Sequence, residues 1–599
     1  MYILGFSCYF HDAASVLLKD GQLIAAAEEE RFSRVKHDSS FPRNAIRFCL
    51  DQGGIQSSEL SYIVFFEKPF RKLDRILMTA LQTYPRSYAV FRESMISWMT
   101  DKLWLSSTLY AELGIPKERV LFSEHHLSHA ASAFLCSPFD EAAILTVDGV
   151  GEWVTATCGV GRGNQITLQR QIEFPHSIGL LYSAFTAFLG FEVNEGEYKV
   201  MGMAPFGQPR YLDRVWKLVQ PNSDGSFSLD LDYFSFPHST SQTYNSKFVE
   251  LFGDPRPSNL LFFTGQTGFP SYFGTPPGNY GELCKLNQHY ADVAASIQRV
   301  TEELLLNMAN SLYKQTGLKR LCLAGGVGLN SVANTRLLNE TPFEELYIQP
   351  SSGDGGGALG AALWAYHSLL GKPRQFVMEH AYWGRSYTET EISQFLNENN
   401  IACRHFDDDD ALLDHVVDHL VQGKVVGWFQ GRFEWGPRAL GNRSILADPR
   451  NPNMKDIVNA KIKFREPYRP FAPSVLAEHT ENYFELPNAN KHFPARYMLY
   501  VVPVKQSLRT ALPAITHVDG TARLQMVFSD QSPRYHRLIE RVGQASGVPV
   551  VLNTSFNLRG EPIVNSPADA FDTFSKSEMD MLVLEDFLVE KAQASNCFQ

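Results

Sequence analysis

The hydrophobic positions of this chain fall into short apolar runs closed by glycine or polar turns, interrupted by a few long stretches with helical spacing. Tyr2 to Ser7 reads as a buried strand. Ala14 to Leu18, then Lys19-Asp20-Gly21-Gln22, then Leu23 to Ala27 reads as a hairpin, because Asp-Gly suits the backbone of a two-residue turn. The pattern predicts a helix from about Pro42 to Gln52 and a strand over Tyr62–Phe66. Strands are predicted again at Ala142–Val147 and Arg320–Ala324, each ending in a glycine-rich loop. An amphipathic helix is predicted over Asp292–Thr316, stopped by Gly317 where a C-terminal glycine belongs. This alternation places the glycine loops at the carboxyl ends of strands, where α/β folds bind ligands.

The pattern shifts near Leu370-Gly-Lys-Pro-Arg374, read as the entrance to a linker. It predicts a first domain over residues 1–372 and a second over 373–599, with strands at Lys424–Phe429 and Val548–Leu552. At 599 residues the chain is too long for one core, so two domains are the default. The run Asp407–Asp410 reads as a solvated loop leading to a helix at Ala411. Residues 220–281, rich in Ser, Pro, Gly and aromatics, read either as an excursion over the active site or as irregular surface. A net charge of −11 argues against broad nucleic-acid or anionic-membrane binding. Eight cysteines, none in a C-x-x-C pair, suit a reducing cytosol rather than a disulfide framework or zinc ribbon. With no signal peptide and no bilayer-length apolar run, the expectation is a soluble cytoplasmic protein. A homodimer is compatible with the sequence, which leaves the oligomeric state open.

In Ser123-Glu-His-His-Leu-Ser-His-Ala130, His125 and His129 are four apart and share one helix face, so both imidazoles can reach one divalent metal. Asp148 in Val147-Asp-Gly-Val-Gly-Glu152 and Asp354 in Ser351-Ser-Gly-Asp-Gly-Gly-Gly357 each end an apolar run before a glycine-rich turn. Two neutral imidazoles and two carboxylates neutralise a divalent cation and leave room for substrate oxygens. Leu323-Ala-Gly325-Gly326-Val-Gly328-Leu-Asn330 offers a third strand-end turn, suited to a nucleotide or to close helix–strand packing. His11, at the end of the first strand, is either a general base or a structural histidine bonded to backbone. Lys199, in Gly196-Glu197-Tyr-Lys199, suits a phosphate or an internal salt bridge with Glu197.

The second domain interleaves arginines with Gly, Pro and aromatics: Gly431-Arg432 through Arg438 to Ser444, Lys461 through Lys463, Arg465 and Arg469 to Pro473, Thr516 to Arg523, and Leu552-Asn553-Thr-Ser-Phe-Asn557. Such rigidly framed guanidinium forks match a doubly charged oxyanion, so a small phosphate-bearing ligand is expected rather than RNA. The remaining basic residues are expected to form structural ion pairs.

Together these motifs resemble the ATP-dependent O-carbamoyltransferases of the nodulation-protein, cephalosporin and aminoglycoside type, over nearly the whole length. The resemblance rests on His-His-x-x-His-Ala, Asp148-Gly-x-Gly-Glu, Ala324-Gly-Gly-Val-Gly-Leu-Asn and Glu434-Trp-Gly-Pro-Arg-Ala-Leu-Gly-Asn-Arg-Ser-Ile-Leu. It implies an α/β fold with a duplicated actin/sugar-kinase-like N-terminal domain and a YrdC-like C-terminal domain. The C-terminal domain would make carbamoyl-adenylate and pyrophosphate from carbamoyl phosphate and ATP with Mg2+, with Arg438, Lys463, Arg469, Arg523 and Asn553 holding carbamoyl phosphate. In the N-terminal domain His125, His129, Asp148 and Asp354 would hold a divalent metal, Fe2+ first with Mn2+ or Zn2+ as alternatives. Gly325, Gly326 and Asn330 would receive the adenosine, and His11 would assist proton removal from the hydroxyl of a small natural-product acceptor. At Gly328 the family more usually has alanine, so looser packing is expected there. A tRNA threonylcarbamoyl-type enzyme and a nucleotide-binding regulatory protein are the rival readings. The zinc-finger cysteine spacing of a hydrogenase-maturation relative is absent from the sequence.

Overall fold

The computed structural model describes residues 1–100, 102–463 and 466–591. The chain divides into two units: residues 1–29, 37–266 and 279–378 form one, and residues 30–36, 267–278 and 379–599 form the other.

The first unit contains two five-stranded sheets of the same topology. In the first, the strand Tyr2–Ser7 pairs antiparallel with Ala14–Lys19, which pairs antiparallel with Gln22–Glu28. On its other side Tyr2–Ser7 pairs parallel with Leu60–Phe65, which pairs parallel with Val120–Phe122. The second sheet repeats this with Glu141–Val147 at its centre. The meander Val154–Arg162 and Gln165–Glu173 lies on one side, and the parallel strands Arg320–Ala324 and Glu345–Tyr347 on the other. This repeat is the duplicated α/β arrangement expected of an actin/sugar-kinase-like domain. The first hairpin turns at Asp20-Gly21, both with positive φ, as its sequence demands.

The helix after each sheet crosses to the other. His125–Phe134 follows the last strand of the first sheet and packs on Glu141–Val147 and Arg320–Ala324. Asp354–Leu363 follows the second sheet and packs on Tyr2–Ser7. The two helices pack against each other at backbone distance. A Cβ at Gly360 would overlap the Ser128 carbonyl oxygen, and one at Gly5 would overlap the Ala358 carbonyl oxygen. The run after Asp354 is therefore not the glycine-rich turn expected from sequence. Its glycines form the first turns of a fully buried helix, tolerated because tertiary contact compensates their poor helix propensity.

The long helix begins at Tyr280, three turns before the predicted Asp292, and ends at Thr316 with Gly317 in the left-handed region. Its added turns mix polar and apolar residues and engage the 220–281 excursion and, through Gln288, the Ala204–Phe206 turn. Asn287 Nδ2 donates to Leu261 O, Gln288 Nε2 to Phe206 O, and Tyr290 Oη to Asp254 O. That excursion holds a short hairpin, Val219–Pro221 with Phe227–Leu229, and the helix Ser246–Phe252, whose Phe248 and Phe252 rings meet Phe185 and Phe188 edge-on or tilted.

The second unit is built on an eight-stranded mixed sheet, in the order Arg404–His405, Phe587–Glu590, Met581–Leu584, Val426–Phe429, Arg443–Ala447, Val550–Ser555, Ala472–Leu476, Gln525–Val527. Helices Asp409–Val421 and Pro533–Ser546 cover it through Leu412, Val416, Trp428, Leu538 and Val542. The acidic run is not a merely solvated loop. Asp408 caps the first helix by accepting from the Asp410 N–H, and Asp409 and Asp410 ion-pair with Arg534 and Arg541 at 2.8 and 2.7 Å. Carboxylates are favoured at a helix N-terminus, and the adjacent helix lines up arginines at helical spacing beside them.

Candidate metal centre

Four side chains from three segments meet in the first unit. His125 and His129 project from one face of His125–Phe134, Asp148 ends the strand Glu141–Val147, and Asp354 opens the helix Asp354–Leu363. All four are buried, and one ligand atom from each lies within 4.8 Å of the others. His125 Nε2 is 3.0 Å from His129 Nε2 and 3.1 Å from Asp148 Oδ2; His129 Nε2 is 3.5 Å from Asp148 Oδ2, and both nitrogens are 3.6 Å from Asp354 Oδ1. Donors bonded at about 2.1 Å to one ion sit about 3.0–3.4 Å apart, so this spacing fits a shared coordination sphere. Asp354 Oδ2 is buried with no hydrogen-bond partner among the described residues, which is costly unless an ion satisfies the carboxylate. Two imidazoles with two carboxylates suit Fe2+, Mn2+ or Zn2+.

The surroundings orient this set. Glu67, immediately beyond the strand Leu60–Phe65, places Oε2 3.8 Å from His125 Nδ1 and accepts two hydrogen bonds from the buried Lys72 ammonium at 2.8 and 3.1 Å. Glu152 accepts from the His125 N–H at 2.9 Å and from the Lys68 N–H at 2.9 Å. Gly151 lies so close to the His125 ring that a Cβ would sit 2.9 Å from it. The middle histidine, His126, faces Thr146 Oγ1 and the Val154 carbonyl, and burial beside His125 and His129 holds it neutral. Burial also opposes charge on His125, but Asp354, Asp148 and Glu67 outweigh it and raise its pKa well above the ordinary value. Asp148 is held well below the carboxylate range by the two histidines despite its burial. Glu67 and Glu152 were missed as site residues, although an acidic residue just past an apolar run was a legible signal for Glu67.

Gly326 N–H donates to Asp148 Oδ1 at 2.9 Å, fixing the carboxylate so that Oδ2 faces the histidines. Gly325 has φ +96° and lies against the Val147 carbonyl, where a Cβ would overlap it. Asn330 caps the helix Ser331–Glu340 through its Oδ1, and its amide exchanges hydrogen bonds with Gln298 at 3.0 and 3.1 Å. A Cβ at Gly328 would meet Ser352 Oγ at 3.2 Å, so glycine leaves a small gap where alanine would be tight. The Lys199 ammonium lies over the Phe191 ring, while Glu197 accepts from Ser183 and the Asn194 N–H.

His11 belongs to a second cluster. Its Nδ1 is 2.7 Å from Asp12 Oδ2, His37 Nδ1 is 2.7 Å from Asp12 Oδ1, and the two rings stack at 4.8 Å. His11 Nε2 lies 3.1 Å from the Asn194 carbonyl oxygen. Asp12 and His37 both take positive φ, a conformation that costs non-glycine residues energy and is found at functional sites. Burial works against a charged His11, but the Asp12 carboxylate pushes its pKa up to about 9.

In the second unit, Asn553 Nδ2 donates to Ser474 Oγ, Gln525 Oε1 and the Ala439 carbonyl, which sets the strand Val550–Ser555 beside the loop bearing Arg438. Lys463 donates to the Ser555 and Asn557 carbonyls and to Asn557 Oδ1 from the end of the same strand. Arg523 ends a short strand two residues before Gln525, and Arg469 lies 3.8 Å from Glu466. Arg465 lies outside the described residues. Of the remaining basic residues, Lys461 forms the ion pair expected from sequence, with Asp580 at 3.0 Å, whereas two arginines donate to backbone carbonyls. Arg432 donates to the Trp383 and Gly384 carbonyls, and the fully buried Arg443 to the Gln430, Gly431, Asn442 and Arg385 carbonyls. Glu434 accepts from the Leu440, Asn442 and Arg443 N–H groups, so the segment is a folded loop pinned from within.

The family model for the carbamoyltransferase N-terminus matches residues 2–363, and that for the carbamoyltransferase C-terminus matches residues 417–591. The chain belongs to the carbamoyltransferase family. Full-length similarity extends to an uncharacterized protein of Synechocystis, 46% identical over 98% of this chain and 97% of that one. The nodulation protein NolNO of Sinorhizobium fredii is 37% identical over 98% of this chain and 80% of its own. A 3'-hydroxymethylcephem-O-carbamoyltransferase of Amycolatopsis lactamdurans is 34% identical over 54% of this carbamoyltransferase chain and 59% of its own. No helix among the described residues is long and apolar enough to cross a membrane.

Proposed function

We propose that this family member is an ATP- and carbamoyl-phosphate-dependent O-carbamoyltransferase acting on a hydroxyl of a small natural product. The observation that carries the reading is the buried His125–His129–Asp148–Asp354 set, oriented by Glu67 and Gly326, in a chain matched by both carbamoyltransferase models. In the proposed route one water cleaves carbamoyl phosphate to carbamate and phosphate, the carbamate oxygen attacks the α-phosphorus of ATP to give carbamoyl-adenylate with release of pyrophosphate, and the acceptor alcohol then takes the carbamoyl group with release of AMP. A mixed anhydride is needed because nitrogen donation makes the carbamoyl carbon a poor electrophile and an alcohol is a poor nucleophile.

Arg438, Arg523 and Asn553 are assigned to binding carbamoyl phosphate, with Arg469 as an outer contact. Lys463, held by carbonyls, positions the loop more than it meets phosphate. Gly325 and Gly326 let the backbone approach the adenosine, Asn330 holds the helix start behind them, and Lys199 is assigned to phosphate. A divalent ion held by the two histidines and two aspartates would polarise substrate oxygens as a Lewis acid. His11 is assigned to assist proton removal: its neutral form, scarce below its raised pKa of about 9, takes the acceptor's proton at Nε2, and Asp12 holds the ring through Nδ1.

The deciding measurement is pyrophosphate release from ATP by metal-loaded protein without acceptor. Release that requires carbamoyl phosphate is expected. His129→Ala should retain that release while losing transfer to the acceptor and bound metal, whereas Arg523→Ala should lose both activities. Loss of release in a folded His129→Ala protein would overturn the two-site division.

A further inference from the structure

Another pair of histidines four apart lies in the second unit. His415 and His419 stand on the helix Asp409–Val421, at the border of the face that buries Leu412, Val416 and Leu420. Side chains alternate along the strand Phe587–Glu590, and Leu588 joins Leu412 and Val416 in the core. Glu590, two residues on, therefore points to the same face of the sheet, where the helix lies. One donor atom each from His415, His419 and Glu590 lies within 4.8 Å of the others.

Three features favour an ion over a self-contained hydrogen-bonded cluster. His419 Nδ1 is 2.9 Å from the His415 carbonyl oxygen. A carbonyl only accepts, so Nδ1 carries the hydrogen and the neutral ring keeps its lone pair at Nε2. Metal-bound histidines are oriented in this way, with the other N–H given to a backbone carbonyl. His415 Nε2 is buried with no hydrogen-bond partner among the described residues. Glu590 Oε1 lies 3.9 Å from it, beyond hydrogen-bond reach, and this is the one ion-pair contact of Glu590 among the described residues. Finally, the His415 and His419 ring centroids are 4.5 Å apart, against 4.6 Å for His125 and His129. Donors at about 2.1 Å from a tetrahedral ion sit about 3.4 Å apart, so binding needs only a small turn of the Glu590 side chain. That side chain is partly exposed and free to make it. Arg404 and Asp418, the other charges acting on His415, are of opposite sign.

We propose that His415, His419 and Glu590 bind a divalent transition ion, Zn2+ by preference, that clamps the helix Asp409–Val421 to the strand Phe587–Glu590. Two imidazoles and one carboxylate, with water as the fourth ligand, form a tetrahedral zinc donor set. Mg2+ and Ca2+ are disfavoured because they take oxygen ligands. The strand gains from such a tie, since its outer neighbour in the sheet is only the two-residue strand Arg404–His405. This proposal is independent of the carbamoyl-transfer reading.

The test is equilibrium dialysis of the untagged full-length protein against about 10 µM Zn2+, which fills a site of micromolar affinity. Wild type should hold one more zinc per chain than a His415→Asn/His419→Asn protein with the same circular dichroism spectrum. The difference should persist in a His129→Ala background, which separates this ion from the one assigned to His125, His129, Asp148 and Asp354. Glu590→Gln, which keeps the side chain's shape, should weaken the site at least about tenfold in a chelator competition. In wild type, Zn2+ at ten times its dissociation constant should slow hydrogen exchange along Phe587–Glu590 about tenfold, with no effect in the double-histidine variant. Equal zinc content in wild type and the double-histidine variant would overturn the site, as would filling only at millimolar Zn2+, the mark of an adventitious ion only. Zinc held by these histidines with unchanged exchange would overturn the clamp. Wild-type affinity in Glu590→Gln would remove the carboxylate from the donor set and with it the tie to the strand.

Discussion

Glu67 shows how a single side chain tunes the candidate centre. Its carboxylate neutralises the buried Lys72 ammonium and lies 3.8 Å from His125 Nδ1, setting a negative charge behind the ring whose Nε2 faces the two aspartates. Glu67→Gln keeps the shape and one acceptor but removes the charge, so metal affinity should fall about 10–100-fold by competitive chelator titration. Unchanged affinity would show that His125 is oriented by its helix alone. A different residue-scale effect concerns the thiols of Cys136 and Cys322, both fully buried. Burial pushes each pKa up to about 12. Unfolding frees them to ionise near pH 9, so the unfolded chain releases protons that the folded chain keeps. Stability is therefore unaffected below that pH and declines as pH rises toward 12, by about 1.4 kcal/mol per thiol per pH unit. Urea unfolding between pH 8 and 11 should be less steeply pH-dependent in Cys136→Ala/Cys322→Ala than in wild type; parallel slopes would refute the assignment.

At the scale of elements, the crossing of His125–Phe134 over Asp354–Leu363 brings the histidines to Asp354, and glycine makes that approach possible. Gly360→Ala drives a Cβ into the Ser128 carbonyl and should cost about 1–3 kcal/mol or more, with weakened metal binding as the helices separate. Gly265 has open space around it, so Gly265→Ala should leave the unfolding free energy within about 0.5 kcal/mol. The ion pairs between Asp409–Val421 and Pro533–Ser546 are exposed enough to matter little. A double-mutant cycle on Asp410 and Arg541 should return no more than about 1 kcal/mol, shrinking with added salt. A coupling several times larger would mean the two helices depend on their charges rather than on the apolar core beneath them.

At the scale of the whole molecule, a duplicated two-sheet unit carries the metal-type donors, and a separate eight-stranded unit carries the anion-type arginines and Asn553. Local pattern alone determined much of this. The strand Tyr2–Ser7, the Asp-Gly hairpin, the strand Arg320–Ala324 and the stop at Gly317 rest on alternation and turn chemistry that act within a few residues. The convergence of His125 and His129 was likewise legible, because four residues is one helical turn. Tertiary structure decided the rest. Asp354-Gly-Gly-Gly reads as a turn until a neighbouring helix and strand occupy the space its missing side chains leave. Twelve residues before Asp292 become helix because segments distant in sequence supply partners for Asn287, Gln288 and Tyr290. Glu67 and Glu152 have no periodic signature, and only the packing of the first unit brings them to His125. Arg443 reads as half of an ion pair until the fold surrounds it with carbonyls. Short-range sterics and turn preference are written in neighbouring residues, whereas the environment of a buried charge is set by residues that only the fold brings together.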